Sequence, residues 1–297
     1  MDVLNYGLYR RSVKFVINVG ENMSSKSVIA LAGISALAFY SSMAVGSKYN
    51  LQEPQSVIAQ DIYDQHIMLM WICLAIFIGV FSVMFYSVVK HRKSKGHKAA
   101  NFHHSTTVEV IWTVIPALIL IVMAWPATKT VIAMKDTSEP DLTIKATGYQ
   151  WMWGYDYLQG EGEGISFYSK LSTPRAQLEG KEAKGENYLL EVDNNVVVPV
   201  GKKVRVILTA NDVIHAWWVP AFGSKQDAIP GFIRDTWFTA DNPGIYRGQC
   251  AELCGKDHGY MPIVVEVMNE EDYSQWVSDQ QKKSAAADSV EESAEKV

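Results

Sequence analysis

Histidine and cysteine are scarce in this chain, seven and three among 297 residues. No Cys-x-x-Cys-His run occurs, which excludes covalently attached haem. There is no internal repeat, so a solenoid or a propeller is not expected. Cations are in deficit in the second half, where residues 141–297 carry 15 Lys and Arg against 24 Asp and Glu, or −9. That surplus of carboxylate argues against nucleic acid and favours a basic partner, although solubility alone would account for it. Residues 1–140 carry 12 against 8, or +4, and are also the apolar part. The length leaves room for one domain of ordinary size beside membrane segments.

Three apolar stretches fall in the first half. Residues 28–46 hold no charge but include Gly33, Ser35, Ser41 and Ser42; Lys26 precedes them and Ala44-Val45-Gly46 closes them. A basic start, a short apolar segment and small residues at the cut are the marks of a secretory signal, so residues 1–46 are read as one. Met23 offers an alternative initiator, and a retained third helix is the competing reading. Residues 67–89 then run 23 long without a charge. At about 1.5 Å per residue that outspans a hydrocarbon core of about 30 Å. Residues 110–128 form a second uncharged run, interrupted only by Pro116 and Pro126, which neighbouring helices in lipid can accommodate. Lys90, Arg92, Lys93, Lys95 and Lys98 lie between the two runs and place that loop in the cytoplasm. Residues 47–135 are thus expected as a hairpin whose ends both face outside, as an export signal also requires.

From Asp141 the texture changes. Residues 188–192, 195–200, 204–208, 236–239 and 263–267 are short, rich in β-branched or aromatic residues, and separated by Gly, Pro, Asn and Asp. Such spacing predicts an all-β sandwich or barrel over residues 141–277. Residues 160–185, rich in Gly, Glu and Lys, read as a long loop, and residues 278–297 as a mobile acidic tail.

The chemistry is concentrated. Cys250-Ala-Glu252-Leu-Cys254-Gly-Lys-Asp-His258-Gly-Tyr-Met261 reads C-x3-C-x3-H-x2-M, and His215 lies upstream. His215 and His258 are the only histidines after residue 140, and Cys73, the remaining cysteine, sits inside a membrane run. Thiolates with imidazoles and a thioether suit copper, while two His and two Cys also suit zinc. A mononuclear blue-copper site takes a single Cys, so this set has one too many. Two thiolates bridging two copper ions, with Met261 as a weak axial ligand and a carbonyl from the C-x3-C loop, account for all five side chains. A disulfide between Cys250 and Cys254 would leave both His and Met261 without a role.

The run from Asp212 to Val267 resembles the binuclear copper (CuA) region of the cytochrome c oxidase subunit II family. Asp212-Val-Ile-His215, Lys225-Gln-Asp-Ala-Ile-Pro-Gly231, Gly248-Gln-Cys250-Ala-Glu-Leu-Cys254-Gly and His258-Gly-Tyr-Met-Pro262 carry the likeness. It continues through Leu189-Leu-Glu-Val-Asp-Asn194, Gly148-Tyr-Gln-Trp-Met-Trp153 and Val108-Glu-Val-Ile-Trp112, covering roughly residues 60–275. The resemblance implies a two-helix anchor and a cupredoxin-like Greek-key barrel or sandwich in the periplasm of a bacterial inner membrane. By it, His215, Cys250, Cys254, His258 and Met261 hold two copper ions, with the Glu252 carbonyl as a further ligand. The Glu252 side chain would bind a magnesium ion shared with subunit I; haem would reside only in that partner, and subunit III would join them. Trp151 would receive the electron from a separate, basic cytochrome c, and Asp156, Asp193 and Asp212 would attract it. Glu109 would lie near the mouth of a proton pathway. Two positions depart from the pattern: Phe232 stands where Arg is usual, and Arg247 where an aromatic is common. They put in doubt contacts with haem propionates or neighbouring subunits, not the copper ligands.

Other classes fit less well. A quinol-oxidase subunit would lack the copper ligands. A thioredoxin-fold copper chaperone would not place His258 and Met261 just after the second Cys. A nitrous-oxide reductase would carry a large His-rich domain that this chain does not have.

Overall fold

The computed structural model describes residues 50–98 and 104–295; the signal reading of residues 1–46 lies outside them. Helix α1 (Val57–Lys90) starts where Ser56 turns extended and its hydroxyl accepts the Ala59 N–H at 3.0 Å. It runs 34 residues, longer than its uncharged run. The extra turns precede that run, where Gln60, Asp61, Asp64 and Gln65 break the apolar pattern without breaking the backbone ladder. Helix α2 (Thr106–Met134) likewise exceeds residues 110–128 at both ends and keeps Pro116 and Pro126 inside it. Both helices bare apolar side chains all round, Trp125 being 72 % exposed, which water would not tolerate over such a length. Length and composition qualify both as membrane spans. Gln65 Nε2 donates to Thr130 Oγ1 at 2.7 Å and ties the two near their outer ends.

Ten strands follow: β1 (Leu142–Tyr149), β2 (Met152–Gln159), β3 (Ser166–Ser169), β4 (Val196–Pro199), β5 (Lys203–Ala210), β6 (His215–Val219), β7 (Ser224–Ala228), β8 (Arg234–Thr239), β9 (Gly244–Cys250) and β10 (Pro262–Met268). They form two five-stranded sheets, ordered β3-β2-β1-β5-β8 and β4-β10-β9-β6-β7. The β1–β5 and β4–β10 pairs are parallel and the others antiparallel, as a sandwich of crossed-over strands requires. Along β5 burial alternates residue by residue, so Val204, Val206 and Leu208 face inward. Trp153, Tyr155, Tyr157, Trp217 and Phe238 fill the space between the sheets.

Three local expectations fail. Residues 188–192 form no strand: Leu189 sits at φ +63° in a turn, and only Val192 makes an isolated bridge, to Leu171. Apolar residues in a short run do not by themselves distinguish a strand from a buried turn. Residues 160–185 are not all loop, since they contain β3 and a single helical turn, α3 (Arg175–Leu178). The acidic segment from Ser278, expected as a mobile tail, continues helix α4 (Glu270–Glu295). Its start is anchored: Tyr273 and Val277 are buried, Trp276 packs at a tilt against Tyr157, and the Tyr273 hydroxyl donates to the Glu161 carbonyl. Ala, Gln, Glu and Lys then favour propagation of a turn already fixed.

Two joints seat the sandwich on the hairpin. At one, Gln55 N–H donates to the Ala221 carbonyl (2.8 Å), its carbonyl accepts from Asp241 N–H (3.0 Å), and its side-chain oxygen accepts from Asn242 and Tyr246. The Ser56 hydroxyl donates to the Phe222 carbonyl at 2.8 Å. At the other, Trp237 Nε1 donates to Ala133 O at 3.1 Å, and Thr137 joins the Arg205–Asp235 ion pair.

Within the sheet, β9 crosses β6 at Gly248, where an added Cβ would stand 2.0 Å from the Trp218 carbonyl oxygen. Gly248→Ala must push β9 off β6, and we expect a loss of roughly 3 kcal/mol. A thermal unfolding midpoint of the full chain equal to wild type would contradict this.

Candidate metal centre

His215 opens β6 and Cys250 ends β9; the pairing of Trp217 with Cys250 brings these two ends to one edge of the sandwich. The chain after β9 folds back on itself, so Cys254 returns to Cys250 with the two sulfurs 3.9 Å apart. A short 3-10 turn (His258–Tyr260) then aims His258 Nδ1 at Cys254 Sγ (3.5 Å) and leads into Met261, whose Sδ is also 3.5 Å from that sulfur. His215 Nδ1 lies 3.9 Å from Cys250 Sγ, and the Glu252 carbonyl oxygen 3.4 Å from it. His215, Cys250, Cys254 and Met261 are 0, 5, 3 and 1 % exposed. All six positions expected from the sequence to act as ligands therefore converge.

The surroundings hold this arrangement. Asp212 Oδ1 lies 2.8 Å from His215 Nε2, which leaves Nδ1 facing the sulfurs. That carboxylate is fixed in turn by the N–H groups of Val213 (2.6 Å) and Gln150 (2.7 Å). Gly148 is obligatory beside the imidazole, because a Cβ there would meet His215 Cδ2 at 2.7 Å. Trp153, fully buried, donates its indole N–H to the Met261 carbonyl at 3.3 Å. None of these supports is visible as a metal-binding pattern; the runs Gly148-Tyr-Gln-Trp-Met-Trp153 and Asp212-Val-Ile-His215 mark the region only through the family resemblance.

Burial opposes charge on His215, yet the Cys250 thiol and the Asp212 carboxylate outweigh it and raise its pKa. Burial would likewise raise Cys250, but the His215 ring and backbone hydrogen bonds with Ala216 and Glu252 lower it instead. Cys254 is pushed up to about 12, by burial first and by the Cys250 sulfur beside it second. Burial and the neighbouring sulfur thus oppose a second thiolate in the absence of a cation. A disulfide bond needs about 2.05 Å, so these cysteines are free. Bonds of about 2.3 Å to sulfur and 2.0 Å to nitrogen let an ion span every one of these separations. Buried, soft and short of positive charge, the donor set fits copper.

The other expected residues lie at graded distances. Trp151 is adjacent: its Nε1 donates to the Cys254 carbonyl at 3.3 Å, which also accepts from Gln150 Nε2 at 2.8 Å. Gly255, at φ +122°, lets the indole approach, since a Cβ there would stand 3.0 Å from its Cζ2. Lys256 Nζ lies 5.6 Å over the same ring. Asp156 pairs with Lys145 (3.3 Å) and accepts from Ser166, and Asp193 accepts the Lys170 N–H at 2.7 Å. Glu252 is exposed and carries no ion pair among the described residues. Glu109 stands in the first turn of α2, where an acid complements the helix dipole, at the end away from the sandwich. The two departures differ in kind: Arg247 is matched by Glu191, with Nε 3.0 Å from Oε1, whereas Phe232 is simply 59 % exposed.

The chain is also similar in sequence to known proteins. Residues 142–268 match the family described as cytochrome c oxidase subunit II, periplasmic domain, and residues 44–130 match its transmembrane domain. A probable cytochrome c oxidase subunit 2 of Rickettsia bellii is 37 % identical over 265 residues, covering 88 % of this chain and 95 % of that one. The subunit 2 of Cereibacter sphaeroides is 38 % identical over 239 residues, 76 % of this chain and 78 % of that one. A crystal structure of the periplasmic domain of subunit II (CoxB) from Bradyrhizobium japonicum is 45 % identical, covers 50 % of this chain and 98 % of its own, and superposes with a TM-score of 0.44. The chain belongs to the cytochrome c oxidase subunit II family, the membrane-anchored, copper-binding subunit of that oxidase.

Proposed function

We propose that this subunit is the electron entry of its oxidase and that His215, Cys250, Cys254, His258, Met261 and the Glu252 carbonyl hold two copper ions. The pair would supply a one-electron store spread over two metals. What supports a pair is the donor count: two thiolates, each with its own imidazole neighbour, exceed what a single blue-copper ion takes. Cys250 has His215 and the Glu252 carbonyl beside it, and Cys254 has His258 and Met261. Asp212 keeps His215 oriented, Gly148 gives its ring room, and the nearly complete burial excludes water from the sulfurs.

Trp151 is assigned as the point of electron entry from a soluble, basic cytochrome c. One observation carries this: its indole is both partly exposed and one hydrogen bond from the backbone of a sulfur ligand. The −9 of residues 141–297 would steer such a donor from a distance. Asp156, Asp193 and Asp212 contribute to that field while each also holds a local contact. The exposed Glu252 carboxylate is assigned to a magnesium ion shared with subunit I, and Glu109 to the entrance of a proton path in that subunit. Haem and oxygen chemistry belong to the partner, with subunit III alongside. The soluble domain faces the periplasm of a bacterial inner membrane, in keeping with the five cations between α1 and α2.

The copper-loaded full chain, and the assembled oxidase where turnover is read, test these assignments. Metal analysis should give two copper ions, and the half-reduced form an electron spin resonance signal shared equally between them. Cys250→Ser or Cys254→Ser should abolish that signal, and Met261→Leu should shift the potential more than the occupancy. One copper ion, a four-line spectrum or native zinc would refute the pair. Trp151→Phe should keep copper and slow oxidation of the external donor severely; wild-type turnover would reduce Trp151 to a packing residue. Trp153→Phe should instead cost about 1–2 kcal/mol of stability by leaving the Met261 carbonyl unpaired, with milder effect on electron entry. Chemical denaturation of that variant reads the difference.

A further inference from the structure

The five ligand side chains are not equally reachable. His215, Cys250, Cys254 and Met261 are buried, and His258 alone is half-buried. The surroundings of the four buried ligands are pinned. Strand β1 stands so close to His215 at Gly148 that no side chain fits between them, and Trp153 packs edge-on to the imidazole with ring centroids 6.0 Å apart. Trp153 also holds the Met261 carbonyl. Beside Cys250, Ala251 N–H donates to the Ala216 carbonyl at 3.0 Å and keeps the start of the C-x3-C loop down on β6. Gln150 and Trp151 hold the end of that loop through the Cys254 carbonyl.

What remains is the turn of residues 255–260, which carries His258. Its own hydrogen bonds stay inside it: His258 N–H donates to the Gly255 carbonyl (3.3 Å) and Tyr260 N–H to the Asp257 carbonyl (2.8 Å), while Lys256 pairs with Asp257 at 3.7 Å. Apart from the approach of His258 Nδ1 to Cys254 Sγ, no hydrogen bond among the described residues joins this turn to the sandwich. Lys256 only lies over the Trp151 ring at 5.6 Å. Gly255, at φ +122°, supplies a hinge next to the fixed Cys254 carbonyl, and Gly259 faces open space. An open cleft of about 660 Å³ borders the turn through Asp257 and Tyr260 and gives it room to swing. A segment with fixed ends, few outside bonds and free space beside it opens at low cost while its frame stays folded.

We propose that residues 255–260 are a flap over the metal pocket, that copper(I) enters on the side His258 covers, and that His258 is the last ligand to close. The proposal rests on the pair of copper ions assigned above. The position between His215 and Cys250 then fills first, and the second ion is taken by Cys254, Met261 and the returning His258. Burial dictates this order, because a flap closed over the outer ion would seal off the inner position, whose other neighbours are pinned. Loading is ligand exchange without oxidation. Copper stays in the +1 state, each thiol releases its proton to water as its sulfur binds, and the carrier ligand is left in solution.

The test uses the full chain, freed of copper, kept reduced and supplied with copper(I) as its bicinchoninate complex. Native mass spectrometry counts the ions on each chain. Diethyl pyrocarbonate, which acylates accessible imidazole, reads His258 by peptide mapping, and amide exchange reads residues 255–260. His258 should react in the copper-free chain and in the chain holding one ion, and be protected by the second. Amide exchange across the turn should be fast in the first two states and slow in the third. His258→Ala should take one ion at the wild-type rate and lose the second, whereas His215→Ala should hold a single ion that protects His258. Protection of His258 by the first ion in the wild-type chain would overturn the proposal. So would amide exchange equally slow before and after loading, or a folded His258→Ala chain that takes no copper. A wild-type chain that never holds more than one ion would instead overturn the paired-copper assignment beneath it.

Discussion

Two sulfur atoms held 3.9 Å apart in a nearly dry pocket are the constraint on which the rest of the domain depends. Without a cation, the second thiol stays protonated, since its ionised form would face both burial and the first sulfur. The protein therefore stores a demand for positive charge at one edge of a sandwich that is otherwise carbon-lined. Meeting that demand with a defined geometry needs the ligands preset, and the strands preset them. The register of β6 against β9 fixes His215 and Cys250, and the return of the following loop fixes Cys254. Asp212 orients the imidazole, and Gly148 is the vacancy into which the ring fits. These are the supporting contacts that keep a metal site from being an ångström too loose.

A site that exchanges electrons with a second subunit must also be held in position relative to the membrane. The two joints serve that end, and they come from opposite ends of the anchor: Gln55 and Ser56 before α1, Ala133 and Thr137 around the end of α2. The first holds the sandwich by its main chain at Ala221, Phe222 and Asp241, and the second by the side chains of Trp237 and Asp235. The covalent link after α2 alone would permit swivelling. With a joint on each side, rotation about either is opposed by the other.

The sequence reveals this molecule unevenly. Cys250, Cys254, His258 and Met261 are legible because their spacing within twelve residues is itself the chemistry. The hairpin is legible because lipid permits few patterns. What stays hidden is carried by contacts between remote segments: Gln150 reaches Asp212 across 62 positions and Cys254 across 104. Asp212 looks like a surface acid until His215 is seen beside it. Arg247 looks like an irregularity until Glu191, in a stretch expected to be a strand, turns out to meet it. The helical continuation of α4 is hidden for another reason: composition reports the missing core contacts after Ser278, but not the anchored turn before it from which a helix can propagate.

The length of α1 also sets the electrical environment of the domain. Its uncharged run begins at residue 67, so residues 57–66 extend the helix beyond the hydrocarbon by about 15 Å, measured along its axis. The headgroup layer takes up about 6 Å of that on each face of a bilayer. The remainder, about 9 Å, is close to one screening length at physiological salt. An acidic domain perched on such a stalk feels only about a third of the repulsion that anionic lipid beneath it would exert at contact.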